Sequence, residues 1–178
     1  MALLPARDAR TKRGLAYGAG VADLDPAVLE ALRKQSGLSI DLEGRFRHRG
    51  EPITHARTLE VLWSSLQQMA DGRYLVRIAR ESGYVRLEDA PYGVRGVTFE
   101  PSGPLAHLSD GSAEPLAPAT LAVDAAGVLH CRVKGGTHRA RFTRAAQVAL
   151  GLALVEDASA PAGYALVLDG ERHAIGRE

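Results

Sequence analysis

The chain has 178 residues, 46% hydrophobic and 24% charged, which places it among ordinary globular proteins with enough length for one domain or two small ones. Its 22 basic and 21 acidic residues leave a formal net charge of +1, which excludes a global field drawing it onto nucleic acid or an anionic membrane. The single cysteine, Cys131, excludes an internal disulfide; with no secretory signal and no apolar run of membrane-spanning length, a cytoplasmic protein without membrane contact is expected.

Residues 1–24 mix Arg, Lys, Gly and Ala without periodicity and read as a loose N-terminal arm. Asp25-Pro26 supplies a cap and a first-turn proline, and Val28, Leu29 and Leu32 share one face of a short helix that Gly37 ends. From Leu38 the period changes to two. LSIDL, a turn at Glu43-Gly44, and RFRHR predict a β-hairpin with Phe46 and His48 on one face and Arg45, Arg47 and Arg49 on the other. Thr54 is expected to cap a helix on which Leu59, Leu62, Trp63, Leu66 and Met69 form one buried stripe. RYLVRI, GYVRLE and YGVRGVTF follow as strands, so 25–100 reads as an N-terminal α+β module.

Residues 101–118 are rich in proline and poor in periodicity, and predict a linker or irregular crossing. Beyond them 119–178 reads as a second α+β module. TLAVDAAG and VLHCRV are strands, Gly135-Gly136 is a break, a helix runs from about Phe142 to Val155, and GYALVLDG and ERHAIG close the chain. Cys131 falls in an apolar strand phase, that of a small buried hydrophobe.

Sliding the second half back by eighty-three positions aligns Leu38 with Leu121, Asp41 with Asp124, Gly44 with Gly127, Arg49 with Arg132, Thr54 with Thr137 and His55 with His138. Both halves run hairpin, Gly-containing break, Thr-His pair, helix and Tyr-led strand (Tyr74, Tyr164), the pattern of an internal duplication. The fold class expected is therefore α+β, with two small β-rich modules related by duplication. Each carries a hairpin, a helix and further antiparallel strands. Two copies create an interface, and such interfaces are common ligand sites.

The run IDLEGRFRHRGEPI, the helix LEVLWSSL, Asp71-Gly72-Arg73-Tyr74 and Glu88-Asp89-Ala90-Pro91-Tyr92 together resemble the bacterial domain-of-unknown-function family one-two-eight-five, over about 38–176. The resemblance implies a two-domain α+β protein with duplicated motifs and a second domain loosely like pleckstrin-homology folds. It also implies a ligand site between the domains, a nucleotide-based ligand and a role in signal transduction. His55 departs from the pattern, standing where arginine is expected.

Chemistry-bearing constellations are few. The histidines lack metal-ligand spacing, no Gly-x-Ser-x-Gly elbow and no Walker or Gly-x-Gly-x-x-Gly loop is present, and no metal, cofactor or catalytic set is expected. Arg45, Arg47 and Arg49 with Tyr74, Tyr84 and Tyr92 would suit nucleic acid, but Glu43, Glu51, Glu81 and Glu88 lie among them and speak against it. The expected site is a polar cleft between modules. Arg47, Arg49, Arg132 and Arg144 supply positive charge there. Glu88 and Asp89 accept hydrogen bonds or hold Arg86, Tyr74 or Tyr92 stacks, and His55 and His138 flank it in their Thr-His junctions. A non-enzymatic, regulatory, ligand-binding protein is the leading expectation. The alternative is a protein-interaction module that docks a partner through its second domain or a sheet edge.

Overall fold

The computed structural model describes residues 26–178; the expected arm and its Asp25 cap lie outside the described residues, as do the side chains of Leu29 and Leu32. The architecture is mixed α+β, mostly sheet with few helices. No described helix is long and apolar enough to cross a membrane.

Helix α1 (Pro26–Lys34) leads into a first set of strands: β1 (Leu38–Ile40), β2 (Phe46–His48), β3 (Glu51–Pro52), β4 (Leu66–Gln68), β5 (Tyr74–Ile78) and β6 (Glu81–Leu87), with α2 (Ala56–Ser64) between β3 and β4. They form one sheet in the order β3-β2-β1-β6-β5-β4, antiparallel except where β1 runs parallel to β6. Ile40, Phe46, Leu62, Tyr74, Val76 and Val85 are its buried core. Helix α2 differs from expectation at both ends. His55, and not Thr54, is the cap: its Nδ1 accepts from the Thr58 amide. Ser65 ends it, and Leu66 turns into β4 because pairing with Val76 satisfies its backbone better than another helical turn.

The second set comprises β7 (Tyr92–Glu100), β8 (Gly103–Leu108), β9 (Ala113–Pro115), β10 (Ala122–Val123), β11 (Leu129–Val133), β12 (His138–Phe142) and, after α3 (Arg144–Gly151), β13 (Leu154–Glu156), β14 (Tyr164–Leu168), β15 (Glu171–Ala174) and β16 (Gly176–Arg177). Seven of these make a sheet in the order β16-β10-β11-β12-β7-β8-β9, and β13-β14-β15 make a small third sheet. Residues 101–118 are therefore no linker. They hold β8 and β9, whose Pro104 and Pro115 sit where a missing N–H is tolerated, and Pro104 still accepts from the Leu116 amide. The module boundary expected at 100 also moves, since β7 pairs with β8 and with β12 in the second sheet. Thr137 precedes a strand instead of a helix. Thr143 is the α3 cap, accepting from the Ala146 amide, and the expected helix stops at Gly151.

The two halves nonetheless share an order of elements. In each a hairpin (β1/β2, β10/β11) is followed by a strand, a helix and an antiparallel meander; β6, the last meander strand, lies parallel to β1 in the first half, whereas in the second the meander is a separate sheet and the following β16 lies parallel to β10. The hairpin turns match atom for atom: Asp41 Oδ1 accepts from the amides of Glu43 and Arg45, and Asp124 Oδ1 from those of Ala126 and Val128. Gly44 and Gly127 close these turns at φ +70° and +80°. The eighty-three-residue offset ends with the hairpin. His55 caps a helix whereas His138 opens a strand, so the Thr-His pairs are not equivalent.

Candidate functional site

Asp89 leaves β6 and enters the junction between the sheets. Its carboxylate takes three donors from the second sheet: His130 Nε2 at 3.0 Å, Arg141 Nη1 at 2.7 Å, and Arg139 Nη1. Burial alone would raise its pKa, but hydrogen bonds from His130 and Arg141 and the Arg139 charge outweigh that and hold it down at about 2. Arg139 is also paired with Glu178. Strand register explains the donors, since His130 lies opposite Arg141 and Arg132 opposite Arg139, on one face of the sheet. The carboxylate thus holds arginine as its motif suggested, though its partners are Arg139 and Arg141 and not Arg86 or Arg132. Glu88 faces elsewhere and accepts from the Leu42 amide at 3.3 Å.

Asp89, Asp124 and His130 bring potential metal-ligand atoms within 4.8 Å of one another. Two guanidiniums already on Asp89 would repel a cation there, so the grouping is an ion-pair cluster and not a metal centre. His130 is 1% exposed.

Beside this cluster the junction is packed with rings. Tyr74 Oη and His138 Nδ1 are 2.7 Å apart, linking the first sheet to the second. Trp63 stacks on Tyr92 with centroids 5.3 Å apart and packs against both cores, Tyr92 leans on His138, and Lys134 lies over Tyr92. Burial, with the Asp110 charge adding to it, pushes Tyr92 up to about 12. Burial likewise raises Tyr74 against the Arg132 charge, and burial then Lys134 lower His138. Burial thus favours the neutral imidazole at His138, which shares its hydrogen bond with the tyrosine hydroxyl. The space where a cleft was expected is filled at this point.

A cavity of about 730 Å³ opens instead on the first module. It is lined by Lys34, Arg49, Arg73, Tyr84 and Arg86 and by the strand carrying Tyr74, whose ring turns to the other face of the sheet, and no Asp or Glu lines it. Arg73 is committed, bonded to Asp71 and Glu30 and lying 4.3 Å over Tyr84. Arg49 and Arg86 have no carboxylate within salt-bridge distance among the described residues. The left-handed backbone of Arg49, φ +51°, sits in the β2–β3 turn that brings it to the rim.

The expected residues are thus divided. Arg49, Arg86 and the strand carrying Tyr74 line this cavity; Asp89, His138 and Tyr92 form the packed junction; Arg132 stands exposed on β11. Arg47 is spent on Asp41 at 2.9 Å and on the Gly50 carbonyl, and His55 on its cap. Arg144 opens α3 beside Arg45 and Arg95 in a separate shallow hollow. Tyr84, Arg73 and Lys34 were missed as lining residues. Alternation along β6 gave the signal for Tyr84, which shares a face with Arg86.

No family model matches the sequence, and no curated protein does. Two crystal structures share the fold. A DUF1285 family protein from Silicibacter pomeroyi DSS-3 is similar with a TM-score of 0.62 at 17% identity, covering 80% of this chain and 81% of that one. A DUF1285 family protein from Shewanella baltica OS155 is similar with a TM-score of 0.50 at 18% identity, covering 62% of this chain and 86% of that one. The family is the one the sequence resembles, and the agreement is one of fold.

Proposed function

We propose, from a chain with the fold of DUF1285 family structures, a non-enzymatic binding protein that takes a nucleotide-type ligand and acts through it as a regulator. The observation that carries this reading is the 730 Å³ cavity lined by Lys34, Arg49, Arg73 and Arg86, of which Arg49 and Arg86 have no carboxylate partner among the described residues. Arg49 and Arg86, without a carboxylate partner among the described residues, offer guanidinium forks, which recognise phosphate through paired N–H donors. The size suits a ligand of that class. The site lies on the first module, beside the junction and not within it. No pair of groups in the wall offers a nucleophile with its base, so binding without turnover fits best.

A thermal-shift screen against mono-, di- and cyclic nucleotides, nicotinamide dinucleotides and coenzyme A tests this. A ligand at a hundred times its dissociation constant adds about 2.7 kcal/mol. The shift should vanish in Arg86→Ala and persist in Arg132→Ala, whose side chain is outside the cavity. A flat screen would remove the nucleotide reading.

The second reading, a partner-docking module, rests on α3, where Val148 and Leu152, 64% and 89% exposed, follow one another by a helical turn. Pull-down with the native protein against Leu152→Glu tests it.

A further inference from the structure

The shared order of elements in the two halves allows their fillings to be compared. Aligning the helices by their caps, His55 with Thr143, sets Leu59 against Gln147, Leu62 against Leu150 and Trp63 against Gly151. Aligning the parallel strand pairs sets Ile40–Leu87 against Val123–Arg177, and the hairpins set Phe46 against Leu129. In the first module Phe46, Leu59, Trp63 and Leu87 are all part of the core or packed against it. The second module has no ring at the places of Phe46 and Trp63 and has a polar side chain at two of the four places. A cavity of about 330 Å³ remains, walled by Val123, Leu129, Leu154, Ala162 and Ile175 and bordered by Gln147 and Arg177.

We infer that this second cavity is a binding site for a small monocarboxylate with an apolar tail. Strand register puts Arg177 on the same sheet face as Val123 and Leu129, over the apolar wall. Its Nε donates to the Pro161 carbonyl at 3.4 Å, and no carboxylate lies within salt-bridge distance of it among the described residues. The two terminal nitrogens form the fork that suits a carboxylate. Gln147 Oε1 accepts from the Leu129 amide at 3.1 Å, which turns its NH₂ away from that strand with no protein partner among the described residues. Asp124 borders the cavity through its turn, with Oδ1 taken by the amides of Ala126 and Val128. One guanidinium and one amide match a single anionic group, and a volume at the small end for ligand pockets suits a tail of about six carbons. The site is separate from the nucleotide-type cavity and does not rest on that reading.

Hexanoate is the probe, with hexan-1-ol, hexylamine and inorganic phosphate as controls, each titrated calorimetrically into the whole chain. Hexanoate should bind the wild type at least tenfold more tightly than any control. Arg177→Leu, which restores what the first module has, should lose that advantage, and Arg86→Ala should keep it. No heat with hexanoate, equal binding by hexan-1-ol, or unchanged affinity in Arg177→Leu would overturn the inference. Phosphate binding as tightly as hexanoate would overturn it too, by removing the role of the apolar wall.

Discussion

Gly44 and Gly93 meet backbone to backbone: a Cβ on Gly44 would lie 2.6 Å from the Gly93 amide nitrogen, and one on Gly93 would lie 2.8 Å from the Glu43 carbonyl oxygen. The first module's hairpin turn is thereby pressed against β7 of the second sheet. Gly127, in the matching turn of the second module, has nothing within 4 Å. Alanine at Gly127 should cost about 1 kcal/mol, for its left-handed backbone alone. Alanine at Gly44 adds a collision with fixed backbone and should cost at least about 3 kcal/mol. Urea denaturation of the two variants measures the difference, and equal costs would mean the turn does not press on β7.

The Tyr74–His138 hydrogen bond should be visible in pH dependence. His138 is lowered in the folded protein, so the unfolded chain binds a proton first as pH falls. The stability it contributes is complete above about 6.5, the unfolded value, and is lost as pH drops from there toward the folded value. His138→Gln should flatten the stability profile over that window. Tyr74→Phe should cost about 1 kcal/mol at neutral pH.

Asp89 behaves oppositely in range though not in sign. Its folded pKa is about 2, below the usual carboxylate value, so its contribution is present above about 4 and fades as pH falls toward 2. The contribution is at most about 2 kcal/mol, because the cluster is partly open to solvent. Asp89→Asn should be destabilised at pH 7 by a similar amount, since Arg139 and Arg141 lose their counter-charge, and should lose less between pH 4 and pH 2. Acid titration followed by circular dichroism compares the two.

Cys131 should resist thiol reagents in the native protein. It is 2% exposed, and burial with the Glu114 charge adding to it raises its thiol to about 12. Labelling should therefore track global unfolding in urea; labelling at the rate of a free thiol in buffer would contradict the placement of β11.

Much of this was legible because local signals and tertiary pairing agreed. Asp41 and Gly44 announced a turn, and the alternation in RYLVRI and GYVRLE announced β5 and β6, which the sheet then used. Where the two disagreed, pairing prevailed. Leu66 and Met69 continue the helical stripe of α2, yet β5 draws Leu66 into a strand; the Thr-His pair at 137 and 138 is expected to lead into a helix, yet Ala140 and Phe142 lie in a strand between β11 and β7. The prolines at 104 and 115 hid β8 and β9, since a sequence does not show which N–H faces an edge. The candidate site was half legible. Arg49 and Arg86 line one cavity, though on the first module and not between modules, whereas the fate of Asp89 depended on strands fifty residues away.

The insertion of β7 between β8 and β12 also sets an order for synthesis. Every sheet partner of β1 through β6 lies before residue 88, so the first module can close as soon as it has emerged from the ribosome. β7, β8 and β9 emerge next, with Tyr92, Val94, Val97 and Leu108 on the face that β12 and α3 will cover only later. A pause in translation between Pro115 and Phe142 would hold that apolar meander open, and this is the interval in which the nascent chain most needs a chaperone.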